Sequence, residues 1–348
     1  MGCPPACANR GRRTSRDHTA KDPDAAATTL EQRVTKREPT KSGEEALASS
    51  VIGEGTGAWA TWRRLPRPER LRISGGFGWI VVVTLAFVQP LTRLMLHAAQ
   101  SELHSYIPLV PLVACYLLFI QRRTLLAACR SSIGGTVVMG GIGVAALSAA
   151  IAFRGSLSIN DGLALMALAY VSFVAAAGFL FLGSKWMAAA AFPVAFLIFM
   201  VPLPDGVVSW LETASVLASA DLAALFFNMT GTPLLRDGTV FALPTIVLRV
   251  ARECSGIHSS WVLFITSLVA SHLFLESPWR RIILVAFVIP LGIVRNGFRI
   301  LVIGLLCVNV GPHMIDSIIH RRGGPFFFLL SLVPLIVFMA WLRRQEQW

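Results

Sequence analysis

Charge is what this chain lacks. Only 14% of its residues are Asp, Glu, Lys or Arg, while 55% are hydrophobic and the mean hydropathy is +0.64. Soluble domains carry about a quarter charged residues, so an ordinary soluble 348-residue protein is excluded and the polytopic membrane class is indicated. Metal spacing is missing as well. The six cysteines stand at 3, 7, 115, 129, 254 and 307, with no C-x-x-C and no Cys/His ligand pattern. Neither a metal site, nor a cofactor, nor a disulfide framework is expected. No internal repeat is visible, so the main sequence sign of an inverted-repeat transporter is absent. The net charge of +12 is divided, with 14 of the 31 basic and 9 of the 19 acidic residues in 1–72, and neither part resembles a nucleic-acid-binding surface.

Residues 1–72 read as a basic, mostly disordered cytoplasmic tail, and 73–348 as a membrane core. Segment 1–55 has too little apolar surface to offset the entropy of folding. Arg12-Arg13 is not followed closely by an apolar region, and position 6, where a myristoylation pattern wants Ser or Thr, is Ala6. No function is assigned to the tail.

A transmembrane helix needs about 20 mostly apolar residues. Candidates fall near 77–97, 107–121, 133–153, 162–183, 187–204, 255–275, 281–303 and 325–342, which predicts an all-α polytopic protein of about eight spans. The second and fifth are short. Arg63, Arg64, Arg67, Arg70 and Arg72 precede the first span, so the positive-inside rule puts both termini in the cytoplasm. Arg122, Arg123, Arg130, Lys185, Arg280, Arg281, Arg343 and Arg344 then fall on the same side. Between spans five and six lies an outer segment, 205–253. Its apolar spacing over 207–229, with Glu212 and Asp221 interposed, suggests an interfacial helix. A turn at 236–239 and extended chain over 240–250 around Pro244 suggest a small strand-bearing lip.

With that orientation Cys254 opens span six at the outer face, and span seven carries Arg295 and Arg299 toward the same face. At ~1.5 Å per residue Arg299 stands about 27 Å from Arg281, close to the ~30 Å of a hydrocarbon core. The loop 304–324 is expected outside, with His313 and His320. Thiol, imidazole and guanidinium thus converge on one surface, a set suited to acyl transfer. A neighbouring cation raises the thiolate fraction of a cysteine, a histidine relays the proton, and a guanidinium stabilises an oxyanion. Each residue also has a plainer reading. Cys254 serves equally as a small packing residue, Arg299 as a snorkelling anchor and His320 as an ordinary loop residue. His258 and His272 both read as structural polar contacts on span six, although His258 lies one turn from Cys254, close enough to assist it.

Glu253-Cys254-Ser255-Gly256-Ile257, then Pro290 with Arg295-Asn296-Gly297-Phe298-Arg299-Ile300, then His320 with Gly324 and the phenylalanines 326–328, resembles the exosortase/archaeosortase family. Phe192-Pro193, Pro202-Leu203-Pro204 and Gly231-Thr232-Pro233 add to the resemblance, which covers about 75–342. It implies Cys254 as nucleophile, Arg299 as its electrostatic partner and His320 as the third member. It also implies a membrane cysteine peptidase or transpeptidase of the inner membrane, working at the outer face on exported proteins. Their C-terminal sorting signal has a short motif (Pro-Glu-Pro in exosortase substrates), a transmembrane helix and a basic tail. Arg295, Arg249 or Arg252 would pair with an acidic residue of the motif, with Asn296 as a further substrate contact. The acyl acceptor is not specified. One departure stands out: family members often have His-Gly before span two, whereas His104 is followed by Ser105-Tyr106. The alternatives are a polytopic transporter binding an anion at Arg299 and His320, and an exopolysaccharide-assembly scaffold without peptidase activity.

Overall fold

The computed structural model describes residues 67–101, 103–121, 131–244, 246–250, 256–311 and 318–346, with Pro68 and 318–325 described as backbone only. In chain order the helices are α1 (Arg67–Ala86), α2 (Val88–Gln100), α3 (Leu109–Gln121), α4 (Ile133–Ala152) and α5 (Ile159–Ala177), which a π turn prolongs over Gly178–Leu182. Then come α6 (Ser184–Ala189), α7 (Ala191–Phe196), a 3-10 turn at Leu197–Met200 and α8 (Asp205–Met229). A sheet of β1 (Leu235–Asp237), β2 (Val240–Ala242) and β3 (Val247–Arg249) precedes α9 (Ile257–Phe274), α10 (Pro278–Asn309) and α11 (Ile318–Arg344).

Proline decides where the expected spans break. A proline has no N–H for the carbonyl four residues back, and its ring clashes with that carbonyl. Four residues before Pro90 is Ala86, the last residue of α1, and α2 leaves at 69° to α1. Four residues before Pro193 is Ala189, where α6 ends. The expected fifth span is therefore a chain of short pieces, closed off by Pro202 and Pro204. The expected second span is the 13-residue α3, which rises only about 20 Å. Among the described residues, six helices are long and apolar enough to cross a membrane, or up to seven if the bent α1–α2 pair is one span. The all-α polytopic class holds; length and composition alone do not reproduce the expected eight, because two candidates are short or broken and α8 qualifies by length.

Contacts sort the helix termini into two ends. At one end Gly75 and Gly76 of α1 meet Phe181, Met187 of α6 meets Gly178, and Ser132 N bonds Phe179 O. There Gln121 of α3 and Phe192 of α7 hold His272 of α9, and Glu346 accepts from the amides of Glu276 and Ser277. At the opposite end Asn160 of α5 donates to Leu203 O and Asp205 Oδ1, and Asp161 accepts from Asp205 N. Tyr106 faces Trp261 near the start of α9 there. His272, which stacks on Phe192 at 3.8 Å between ring centres, is the structural contact expected of it.

α10 is the spine. Its 32 residues rise about 48 Å, more than a ~30 Å hydrocarbon core. The excess is sheathed by α8 and the lip. Leu222 of α8 packs at Gly297 and Phe227 at Gly304, so the two helices run parallel there. Since α8 begins at the first turn of α5 and finishes along the last third of α10, both of its termini lie at the second end. The lip forms where it was expected, as an antiparallel sheet in the order β1-β2-β3 turning at Gly238 (φ +57°). Arg236 and Asp237 differ from expectation by pairing with Phe241 and Val240 as strand residues. Phe241, Leu248 and Val250 bury against Ala223 and Phe227 of α8 and Ile300, Ile303 and Cys307 of α10. Elsewhere apolar side chains such as Val137, Val144 and Ile151 of α4 point outward, as a lipid environment requires.

Candidate active site at the start of α9

Four of the seven expected site residues fall on described positions with side chains. Arg295, Asn296 and Arg299 share two turns of α10; the first two are 7% and 2% exposed and the third is half-buried. Arg249 is exposed on β3. Cys254 and Arg252 lie outside the described residues. His320 was expected in a loop over 304–324; instead α10 continues to Asn309 and α11 begins at Ile318, so the backbone at 320 is helical. The apolar run on both sides allows the helices to extend into what reads as a polar connection.

The junction of α9 with α10 is the best-defined polar feature. Gly256 caps α9 in the left-handed conformation, φ 65° and ψ 11°. Only glycine suits it, because a Cβ there would stand 3.0 Å from Asn296 Oδ1 and 3.1 Å from Arg295 Nη2. That closeness is used. Arg295 Nη2 donates to Gly256 O at 2.9 Å and to Ser260 Oγ at 3.0 Å, while Ser260 N and Ser259 Oγ also donate to the same carbonyl. Gly292, one turn before Arg295, leaves room for Ser260, whose hydroxyl would lie 2.7 Å from a Cβ there. Arg295 Nη1 is buried with no hydrogen-bond partner among the described residues.

The clamp had only a weak signal in the sequence. Ser260 is one turn after Gly256 and Gly292 one turn before Arg295, but which pairs meet depends on how the two helices dock. Arg295 and Arg299 stand at i and i+4, so two like charges share one face of α10. Beside them is the positive end of the α9 dipole. In a water-poor setting this arrangement favours an anion, whether a thiolate, an oxyanion or a carboxylate.

The turn before α3 adds a second polar group at this end. His104 is 5% exposed, its Nδ1 lies 3.1 Å from Ser101 Oγ, and its ring is 5.7 Å from that of His97. Burial lowers its pKa, His97 pushes the same way, and Asp205 opposes both. Burial also pushes the Tyr106 phenol up to about 12, so it stays neutral.

The family model for transmembrane exosortase (Exosortase_EpsH) matches residues 97–337. No curated protein and no solved structure matches the chain.

Proposed function

The chain belongs to the transmembrane exosortase family, and from that premise we propose that it is a cysteine peptidase or transpeptidase cleaving C-terminal sorting signals of exported proteins. Cys254 is the nucleophile, Arg299 its electrostatic partner and His320 the proton relay. The observation that supports this most is the clamp of Arg295 on Gly256 O. Two peptide units of ~3.8 Å hold the Cys254 Cα within about 7.6 Å of Gly256, whatever path they take. A cysteine within that reach of the clamp supports the pairing with Arg299, which lies one turn beyond Arg295 on α10. Phe327 of α11 packs edge-on against Phe298, the neighbour of Arg299, with 6.4 Å between ring centres. His320 belongs to the same helix, two turns before Phe327.

The chemistry follows from these placements. Arg299 and the N-terminus of α9 lower the thiol pKa, so the proton passes to His320 and Sγ attacks the scissile carbonyl. The guanidinium of Arg299 faces the tetrahedral oxyanion. Collapse breaks the C–N bond, the imidazolium returns its proton to the leaving amine, and a thioester remains. Water or an amine or hydroxyl acceptor then attacks the thioester and restores the thiol. Arg295 has one nitrogen committed to the clamp, and Nη1 is the part left for an acidic side chain of the motif. Asn296, Arg249 and Arg252 complete the proposed substrate contacts.

Orientation rests on charge. Arg67, Arg70, Arg72, Lys185, Arg280, Arg281, Arg343 and Arg344 belong to segments at the end opposite the clamp. By the positive-inside rule that end is cytoplasmic, which puts the clamp at the outer face of the inner membrane. Co-expression with a protein carrying a tripartite C-terminal signal tests the whole reading. Cys254→Ala should accumulate normally yet leave the signal uncut, and a thioester adduct to the substrate should be trapped only when Cys254 is present. Undiminished cutting by Cys254→Ala would overturn the enzyme and leave a scaffold or transporter.

A further inference from the structure

A narrow apolar cleft runs down the outside of α9, away from the clamp. Its walls are Val110 and Val113 of α3, Phe196 of α7, and Ile265, Val269 and Leu273 of α9. Tyr106 stands at one end and Phe274 at the other. Thr266 turns its hydroxyl back onto Val262 O at 2.8 Å, so it contributes no free polar group. From Ile265 to Phe274 the cleft is about 14 Å long. Its volume is about 310 Å³, and its lining is apolar along that whole length, which suits an extended hydrocarbon chain.

Charge marks the Phe274 end. Arg343 of α11 lies over the Phe274 ring, 5.9 Å from its centre, and is exposed. Of the basic residues at the start of α10, Arg280 donates to Leu342 O and Gln345 O and stands 3.9 Å from Glu346, and Arg281 donates to Leu275 O. No described acidic group pairs with Arg343. A cation with no acidic partner among the described residues, at the mouth of an apolar cleft, matches a lipid with an anionic head.

We propose that this cleft is a binding site for an anionic phospholipid, with one acyl chain between α3, α7 and α9 and its phosphate on Arg343. The occupant sits in the leaflet at the α11 C-terminus, on the opposite side from the clamp. It would fill the space beside α3, the helix too short to span on its own. The inference does not depend on Cys254 being a nucleophile.

The full chain, purified from nanodiscs of equal phosphatidylglycerol and phosphatidylethanolamine, tests it by native mass spectrometry after detergent exchange. The native protein should retain about one phosphatidylglycerol in preference to phosphatidylethanolamine. Arg343→Gln, at an exposed position, should cut that preference about fivefold, the value of one basic residue at an anionic surface. Ala270→Leu, which narrows the cleft, should reduce retention of both lipids; where its melting temperature falls, Arg343→Gln carries the test alone. Equal retention of the two lipids by the native protein, or an unchanged preference in Arg343→Gln, overturns the proposal. So does a photo-crosslinker at position 273 that captures the sorting-signal helix instead of lipid.

Discussion

Replacing Gly256 with alanine is the sharpest perturbation of the clamp, because the backbone conformation and the contact fail together. A residue with a Cβ pays about 1–2 kcal/mol in the left-handed region that Gly256 occupies at φ 65°. The new methyl would also stand 3.0 Å from Asn296 Oδ1 and 3.1 Å from Arg295 Nη2, so both side chains must give by a few tenths of an ångström, which weakens and at most breaks the bond to the carbonyl. A hydrogen bond to a charged group contributes about 1.5–3 kcal/mol. Both losses come from one displacement, so their sum of roughly 2.5–5 kcal/mol is an upper bound. Thermal unfolding in detergent should fall by roughly 5–15 °C, and cutting of a co-expressed sorting signal should fall with it. Gly297→Ala is the control, since Gly297 sits mid-helix with Leu222 at 3.3 Å and its loss of flexibility favours the helix. It should stay within about 1 kcal/mol of the native protein. Native melting and native cutting in Gly256→Ala would refute the idea that the bond of Arg295 to Gly256 O holds α9 to α10.

Three further outcomes are expected. Gly304→Ala drives a methyl into the buried ring of Phe227 and should cost about 1–3 kcal/mol, read as a lower melting temperature and earlier proteolysis of the lip. His104 has a folded-state pKa below its usual 6.5, so the unfolded chain binds more protons beneath that value. Stability should be full above pH 6.5 and decline as pH falls toward the folded pKa, a dependence that His104→Gln removes from melting curves recorded between pH 5 and 7.5. Glu346 is held below its usual pKa first by the amide of Glu276, then by that of Ser277. Its contribution is present above the unfolded carboxylate range and lost as pH falls through the folded value, and Glu346→Gln should speed hydrogen exchange at those two amides.

What could be read in advance follows the range of each interaction. Hydropathy is a property of about 20 consecutive residues, so α4, α5, α9, α10 and α11 were legible as apolar runs. The breaks at Ala86 and Ala189 were legible in principle from Pro90 and Pro193, four residues on, yet a hydropathy window averages across a proline. The lip was visible as turn and strand signals, but not its burial against α8 and α10, which depends on how those two helices dock on it from either side in the sequence. The arginines were recognisable by type and position. The difference between Arg295, buried and clamped, and Arg299, half-buried, was not, because both lie on one helix face at equivalent spacing.

By itself the sequence determined that this is a polytopic helical membrane protein with a lip at one end, because hydrophobic burial and backbone hydrogen bonding in lipid are settled locally. It also carried the residues by which the chain resembles its family. Only the tertiary structure decided that Gly256, Ser260, Gly292 and Arg295 form one clamp. The reason is geometric: a 2.9 Å bond between residues 39 apart exists only once α9 and α10 have docked, and no local pattern encodes that register.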